Sequence, residues 1–188
     1  YDDMLPEFQH WLSNIPFHFD LLISTPSAPQ QQRIVEGLAS LPNLGTLDVR
    51  VMPNQGRDIA PMVVGFAKEC LAHDYVLHLH SKKSPYGSET DGWFSYCLSH
   101  LLDSPLYVSA ILNQFEQNPE LGIIYPPPLP TLRNHLHWEN MRPEGEALLD
   151  RLGIPATTLE AFPLEFPAGS MMWFRSSALR PLFEANLD

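Results

Sequence analysis

The chain has 188 residues, 44% of them hydrophobic and 18% charged, enough for one domain with its own core and too apolar for a disordered segment. Eleven Lys and Arg face 22 Asp and Glu, a net charge of −11, which excludes a diffuse nucleic-acid footprint. No apolar run approaches the ~20 residues of a membrane helix, so no transmembrane segment is expected, and any bound anion must meet a local cluster of cations.

Nineteen prolines against ten glycines indicate a chain with many loops, since proline punctuates it instead of forming a tract. Cys70 and Cys97 sit in apolar helical contexts without a CxxC spacing, the pattern of buried free thiols in a cytosolic protein. Tyr1-Asp2-Asp3-Met4 is no secretory leader, and the abrupt start suggests a domain cut from a longer protein.

In chain order, residues 5–12 space Leu5, Phe8 and Trp11/Leu12 as one face of a short helix. Residues 19–24 form a buried apolar strand ended by Thr25-Pro26. Residues 30–41 follow as a helix, with Ile34, Leu38 and Leu41 on one face. Alternation of Leu47, Val49 and Val51 makes 46–52 the second strand. Residues 59–72 read as one long apolar helix, and 74–79 as the third strand. A polar loop over 81–91 leads to helices over 92–102 and 105–117, the second with proline in its first turn. Residues 121–125 make the fourth strand. A long irregular stretch to Arg142 precedes a helix over 144–152, and 171–174 make the fifth strand, with Ser176 as N-cap of a closing helix. This alternation predicts one α/β domain over residues 1–188, a mostly parallel sheet with helices on both faces.

Ligands in such sheets bind beyond the carboxyl ends of strands, so the residues there are the candidates. After the second strand, Asn54 and Gly56 suit a tight turn, Asp58 can cap the next helix, and Arg57 offers a fork of donors for phosphate or carboxylate. A capped turn with a surface arginine has the same residues. On the third strand, period two puts His78 and His80 on one face, away from Tyr75, Leu77 and Leu79. Two imidazoles in an apolar strand need partners or a cavity, whether as satisfied core histidines or as ligand-binding groups. Lys82 and Lys83 follow at once, and with Arg57 they make the cationic cluster that the net charge demands. Before the fifth strand, Ala168-Gly169-Ser170 lets backbone approach a ligand closely, and Trp173 and Phe174 supply packing or a stacking face.

Three segments together, Asn54-Gln55-Gly56-Arg57-Asp58-Ile59-Ala60-Pro61, Tyr75 through Ser84 and Phe166 through Arg175, resemble the rhamnan synthesis protein F family. Phe19 through Pro26 and Asn118 through Pro126 fit it too, so the resemblance covers nearly the whole chain. It implies a GT-A-like (nucleotide-diphospho-sugar transferase) fold lacking its first strand and C-terminal segment, and a role in bacterial surface polysaccharide synthesis: rhamnan, O-antigen, lipopolysaccharide. The implied activity is that of a glycosyltransferase, moving rhamnose from a dTDP-linked donor to a glycan or lipid-linked glycan acceptor. The place implied is the cytoplasm, peripheral to the inner face of the plasma membrane. GT-A enzymes end the corresponding strand in an acidic metal-binding motif. Here it reads His78-Leu79-His80-Ser81-Lys82-Lys83, with no Asp-x-Asp, so a divalent Mg or Mn cofactor is not assured. Arg57, Lys82 and Lys83 would instead neutralise the diphosphate, with Asn54, Gly56, Asp58, His78, His80, Gly169 and Ser170 completing the substrate site. No catalytic base is assigned, and the isolated chain is expected to be inactive if both missing segments are needed.

Two other readings use the same residues. A metal-dependent hydrolase would recruit His78 and His80 together with His135, His137 or Glu139. A non-catalytic glycan-binding or assembly module would present Trp138, Trp173 and Tyr125 as an aromatic platform.

Overall fold

The computed structural model describes residues 2–81, 92–131, 136–138, 140–161 and 164–187. A single 3-10 turn, Asp2–Met4, leads into α1 (Leu5–Leu12), as its spacing predicts. β1 (Phe19–Thr25) and β2 (Leu44–Val51) are joined through α2 (Ala28–Leu38). They pair in parallel, with Leu21 opposite Leu47 and Ile23 opposite Val49. α2 packs closely on α1, because Gly37 leaves room for Leu5: a Cβ there would stand 3.1 Å from Cδ1 of that leucine.

The expected long helix over 59–72 is interrupted. A π turn, Pro61–Gly65, closes with the Phe66 N–H on the Pro61 carbonyl, and α3 (Ala67–Leu71) follows. The bulge has a local cause. Gly65 lies against Met52, whose Cε would be 2.5 Å from a Cβ at that position, and Arg50 Nη1 donates to the Gly65 carbonyl at 2.7 Å. An outside donor therefore satisfies a carbonyl in the widened turn.

β3 (Tyr75–His78) leads, through residues that include the polar 81–91 segment, to α4 (Trp93–Leu102) and α5 (Pro105–Gln117). Ser104 Oγ caps α5 by accepting from the Tyr107 N–H at 3.3 Å. β4 (Ile123–Ile124) is short; α6 (Arg142–Arg151) and an unforeseen α7 (Thr158–Ala161) precede β5 (Met172–Arg175) and α8 (Ser176–Phe183). Ser176 opens α8 instead of capping it. Its buried hydroxyl donates to the Cys70 carbonyl at 2.7 Å, tying α8 to α3.

The sheet expectation needs correction. Among the described residues a mostly parallel sheet is not formed: β1 and β2 make a parallel pair, and a separate sheet has the order β3–β5–β4, antiparallel throughout. Strand direction depends on where a connection leaves and re-enters. The long segment between β4 and β5 brings the chain back reversed, which a pattern of strands and helices does not encode.

Two apolar layers cover this framework. One holds Leu98, Leu101, Leu102, Val108, Phe115 and Trp173 beneath α4 and α5, and Leu21, Ile23, Tyr75 and Leu77 pack on it. The other holds Met62, Val63, Phe66, Met172, Phe174 and Phe183, with Leu22 and Val76 packed on it. Cys70 and Cys97 are buried free thiols, as expected, and burial pushes both up to about 11. No helix among the described residues is long and apolar enough to cross a membrane.

Candidate functional site at the strand ends

The loop after β2, the end of β3 and the turn before β5 meet around two imidazoles. His78, at the last position of β3, is buried; its Nδ1 lies 2.5 Å from the Ser170 carbonyl and its Nε2 3.2 Å from the Asp58 carbonyl. Burial pushes the His78 pKa below its ordinary value, against the Ser170 carbonyl and the Asp58 charge, which both favour the proton. The ring is therefore neutral and carries one N–H. The shorter contact makes Nδ1 the donor, and Nε2 then only faces the Asp58 carbonyl. His80 Nε2 lies 2.6 Å from the Gly169 carbonyl and 3.9 Å from the Asp58 carboxylate. Its Nδ1 is buried with no hydrogen-bond partner among the described residues. Sequence periodicity places the two histidines on one face correctly, and the fold supplies them with backbone partners from both flanking loops.

Those loops hold their carbonyls in place by unusual backbone. Gly56 has φ +64 and Arg57 +56; Gly169 has +85 and Ser170 +58. The other described non-glycine residues with positive φ are Asn43 and Asn186, a residue type that tolerates it. An arginine and a serine in that region carry real strain, and both flank the same histidine pair. The Ser170 N–H donates to the Pro167 carbonyl at 2.8 Å, closing a turn with Gly169 in the third place, where a positive φ is needed. Gly169 also admits the Trp93 indole, which a Cβ there would approach to 2.9 Å. At Gly56 a Cβ would stand 2.2 Å from that of Ala60. The loop is closed by the Ala60 N–H on the Gly56 carbonyl, and no side chain caps the π turn that follows, so Asp58 contributes its carbonyl to His78 and its carboxylate to the vicinity of His80.

Arg57 is exposed, and no described side chain pairs with it. The contrast with two other arginines is informative. Arg50 bonds Asp48 and Glu69 and lies over the Phe66 ring at 4.5 Å. Arg175 donates to the Phe115 carbonyl at 2.6 Å and to the Tyr75 hydroxyl at 3.3 Å. Both are consumed by the fold, whereas Arg57 is held at the mouth of a cavity of about 570 Å³ that also touches Asp58, His78 and His80. Asn54 stands exposed beside it, on the same loop. Lys82 and Lys83 lie outside the described residues, as do His135 and Glu139. Trp93 and Thr25 were not legible as site residues. Thr25, buried at the end of β1, borders the same cavity, and its place at a strand terminus is the signal that marks it.

The aromatic platform does not form, and the metal reading can be followed only as far as the described residues, since His135 and Glu139 lie outside them. Trp173 is buried and donates its indole N–H to the Leu101 carbonyl at 3.1 Å, so it is core and not part of an aromatic platform with Trp138 and Tyr125. Among the described residues no three His, Cys, Asp or Glu side chains gather to hold a metal ion. Moreover His78 faces a carbonyl oxygen with each ring nitrogen, which leaves neither aimed at an ion.

Comparison with known proteins agrees with the sequence resemblance. The rhamnan synthesis protein F family matches residues 1–188. Two curated relatives, each called uncharacterized protein WxcX, come from Xanthomonas campestris pv. campestris strains B100 and ATCC 33913; both are 34% identical over 147 residues. That match takes in 74% of this chain and 20% of each relative, so the chain corresponds to about a fifth of their length. No solved structure matches. On the extent of the family match and the identity to these relatives, the chain belongs to the rhamnan synthesis protein F family.

Proposed function

We propose that this chain is the donor-binding part of a glycosyltransferase of GT-A-like organisation that works in the synthesis of a surface polysaccharide. The observation that carries the reading is the strained pair Arg57 and Ser170, on opposite sides of the histidines, with Arg57 lining the cavity and unpaired among the described residues. Strain kept in two turns that converge on one cavity is the kind of backbone that functional sites carry. A guanidinium there suits the diphosphate of a nucleotide-sugar donor, the leaving group whose charge must be balanced during transfer. In this reading Lys82 and Lys83, adjacent in sequence to the histidines, add to that balance. Asn54, Gly56 and Asp58 shape one wall; Gly169 and Ser170 shape the other.

The reaction would break the bond from the anomeric carbon to the diphosphate oxygen and form one to an acceptor hydroxyl, on a glycan or lipid-linked glycan. The hydroxyl proton would pass to a base that these residues do not identify. Rhamnose is the sugar that the family's name favours, and the resemblance adds a dTDP-linked donor.

Calorimetric titration of dTDP into the protein expressed from its complete gene tests the reading. Binding that weakens about tenfold or more in Arg57→Ala and in Lys82→Ala is the expected result. No binding, or binding indifferent to both changes, removes it.

A further inference from the structure

Among the described residues β1 and β3 each have an edge without a strand, and the two edges border the same cavity. A cavity lying on the face of a strand touches alternate residues. This one touches every residue from Phe17 to Pro26 and every residue from His73 to Ser81, so it runs along strand edges. The hydrogen bonds agree. The Thr25 carbonyl accepts from Met52, which turns the backbone of Leu21, Ile23 and Thr25 towards β2 and that of Leu22 and Ser24 towards the cavity. The Asp74 carbonyl accepts from Ser176, which turns Val76 and His78 towards β5 and Tyr75 and Leu77 towards the cavity. Near the start of both strands, His73 Nε2 meets Asp20 Oδ2 at 3.0 Å, a side-chain bridge where no backbone ladder exists.

The two sheets also share their layers. Leu21, Ile23, Tyr75 and Leu77 face one apolar core, while Leu22 and Val76 face the other. Two sheets with common faces, separated by an open edge on each side, are one sheet with a strand absent between them.

We infer that the cavity between β1 and β3 is the seat of a β-strand supplied by a part of the same polypeptide outside these residues, in the order β2–β1–strand–β3–β5–β4. The curated relatives are matched over a fifth of their length, so such proteins have ample chain to provide it. Its side chains would enter both cores in alternation, so it is apolar on both faces, without the polar alternation of a half-exposed strand. Both flanking edges offer N–H and C=O groups without a backbone partner among the described residues, which an extended backbone satisfies and a helix or a small apolar molecule does not. One of its ends would lie beside Thr25, Asp58 and His80, and the chain continuing from that end would form a wall of the candidate site.

Hydrogen exchange on the protein expressed from its complete gene reads the occupant's backbone bonds. The amides of Leu22, Ser24, Tyr75 and Leu77 should exchange about as slowly as those of Leu21, Ile23 and Val76. Exchange ~100-fold faster at the cavity-facing set overturns the inference. Identity is read separately, with a photo-activated thiol label on Ser24→Cys, an exposed position, Cys70 and Cys97 being buried. A cross-link to a peptide of the same chain outside residues 1–188, independent of protein concentration, is expected. A cross-link within these residues, or to a second copy, overturns it. Neither readout involves nucleotide, so failure here leaves the donor-binding reading to stand or fall on its own titration.

Discussion

The two arginines at opposite ends of the antiparallel sheet make the most instructive comparison. Arg175 at the end of β5 is wrapped by a carbonyl, a tyrosine hydroxyl and the rings of Tyr75 and Phe115. Arg57, beyond β2, sits in a strained backbone conformation with its head group in solvent. The first stabilises the fold and the second is held ready at some cost to it. Packing and the proposed donor site therefore occupy separate ends of the framework, and substitutions should separate them.

The largest effect is expected at the packed end. Phe174 is fully buried on β5, its ring tilted against that of Phe183, and Phe174→Ala should cost about 3–5 kcal/mol in a denaturant titration. A cost near zero would mean that this layer is not the core described here. Next comes the support of the site. Gly56→Ala must hold a Cβ at positive φ against Ala60, and Gly169→Ala does so against Trp93; each should lose about 1–2 kcal/mol and weaken nucleotide binding together with stability.

Arg57→Gly sharpens the contrast. It relieves the left-handed strain while adding freedom to the unfolded chain, so stability should change by less than about 1 kcal/mol, whereas dTDP affinity should fall. A large loss of stability in this variant would place Arg57 among the structural arginines.

Two pH effects are smaller. His78 has a folded pKa below its ordinary 6.5, so the unfolded chain takes up a proton that the folded protein refuses. Stability should be complete above about pH 6.5 and decline as pH falls towards the lowered value, a slope absent in a folded His78→Gln variant. His73 behaves oppositely. The Glu69 carbonyl, with Asp20 beyond it, raises its pKa above 6.5, so its contribution is complete below that value and fades as pH rises through the raised one. Asp20 is held low chiefly by the Thr46 N–H, and its share is lost only as pH falls below its ordinary 3.8. The pair is partly exposed and screened, so His73→Ala should cost under about 1 kcal/mol at mildly acid pH and almost nothing in alkali, by thermal melts across pH.

Local chemistry was legible where one segment sufficed. α1 and α5 fall at their predicted positions because apolar spacing and a proline in the first turn act within a few residues. Gly56 and Gly169 read as turns for the same reason, and period two alone put His78 and His80 on one face. The interruption at Pro61–Gly65 was hidden in a continuous apolar run, since it depends on Arg50 of β2 and Met52 just beyond it. Trp173, exposed in one reading of the sequence, is core because α4 offers the Leu101 carbonyl to its indole.

The amino-acid order by itself determined most of the elements and the family and named the candidate residues, because periodicity, turn chemistry and motif spacing are short-range properties. Only the tertiary structure decided that β5 runs against its neighbours, that Arg57 and Ser170 are strained towards one histidine pair, and that β1 and β3 keep open edges. Each of these depends on segments far apart in the chain, and the contacts that fix them exist only once the chain has closed on itself.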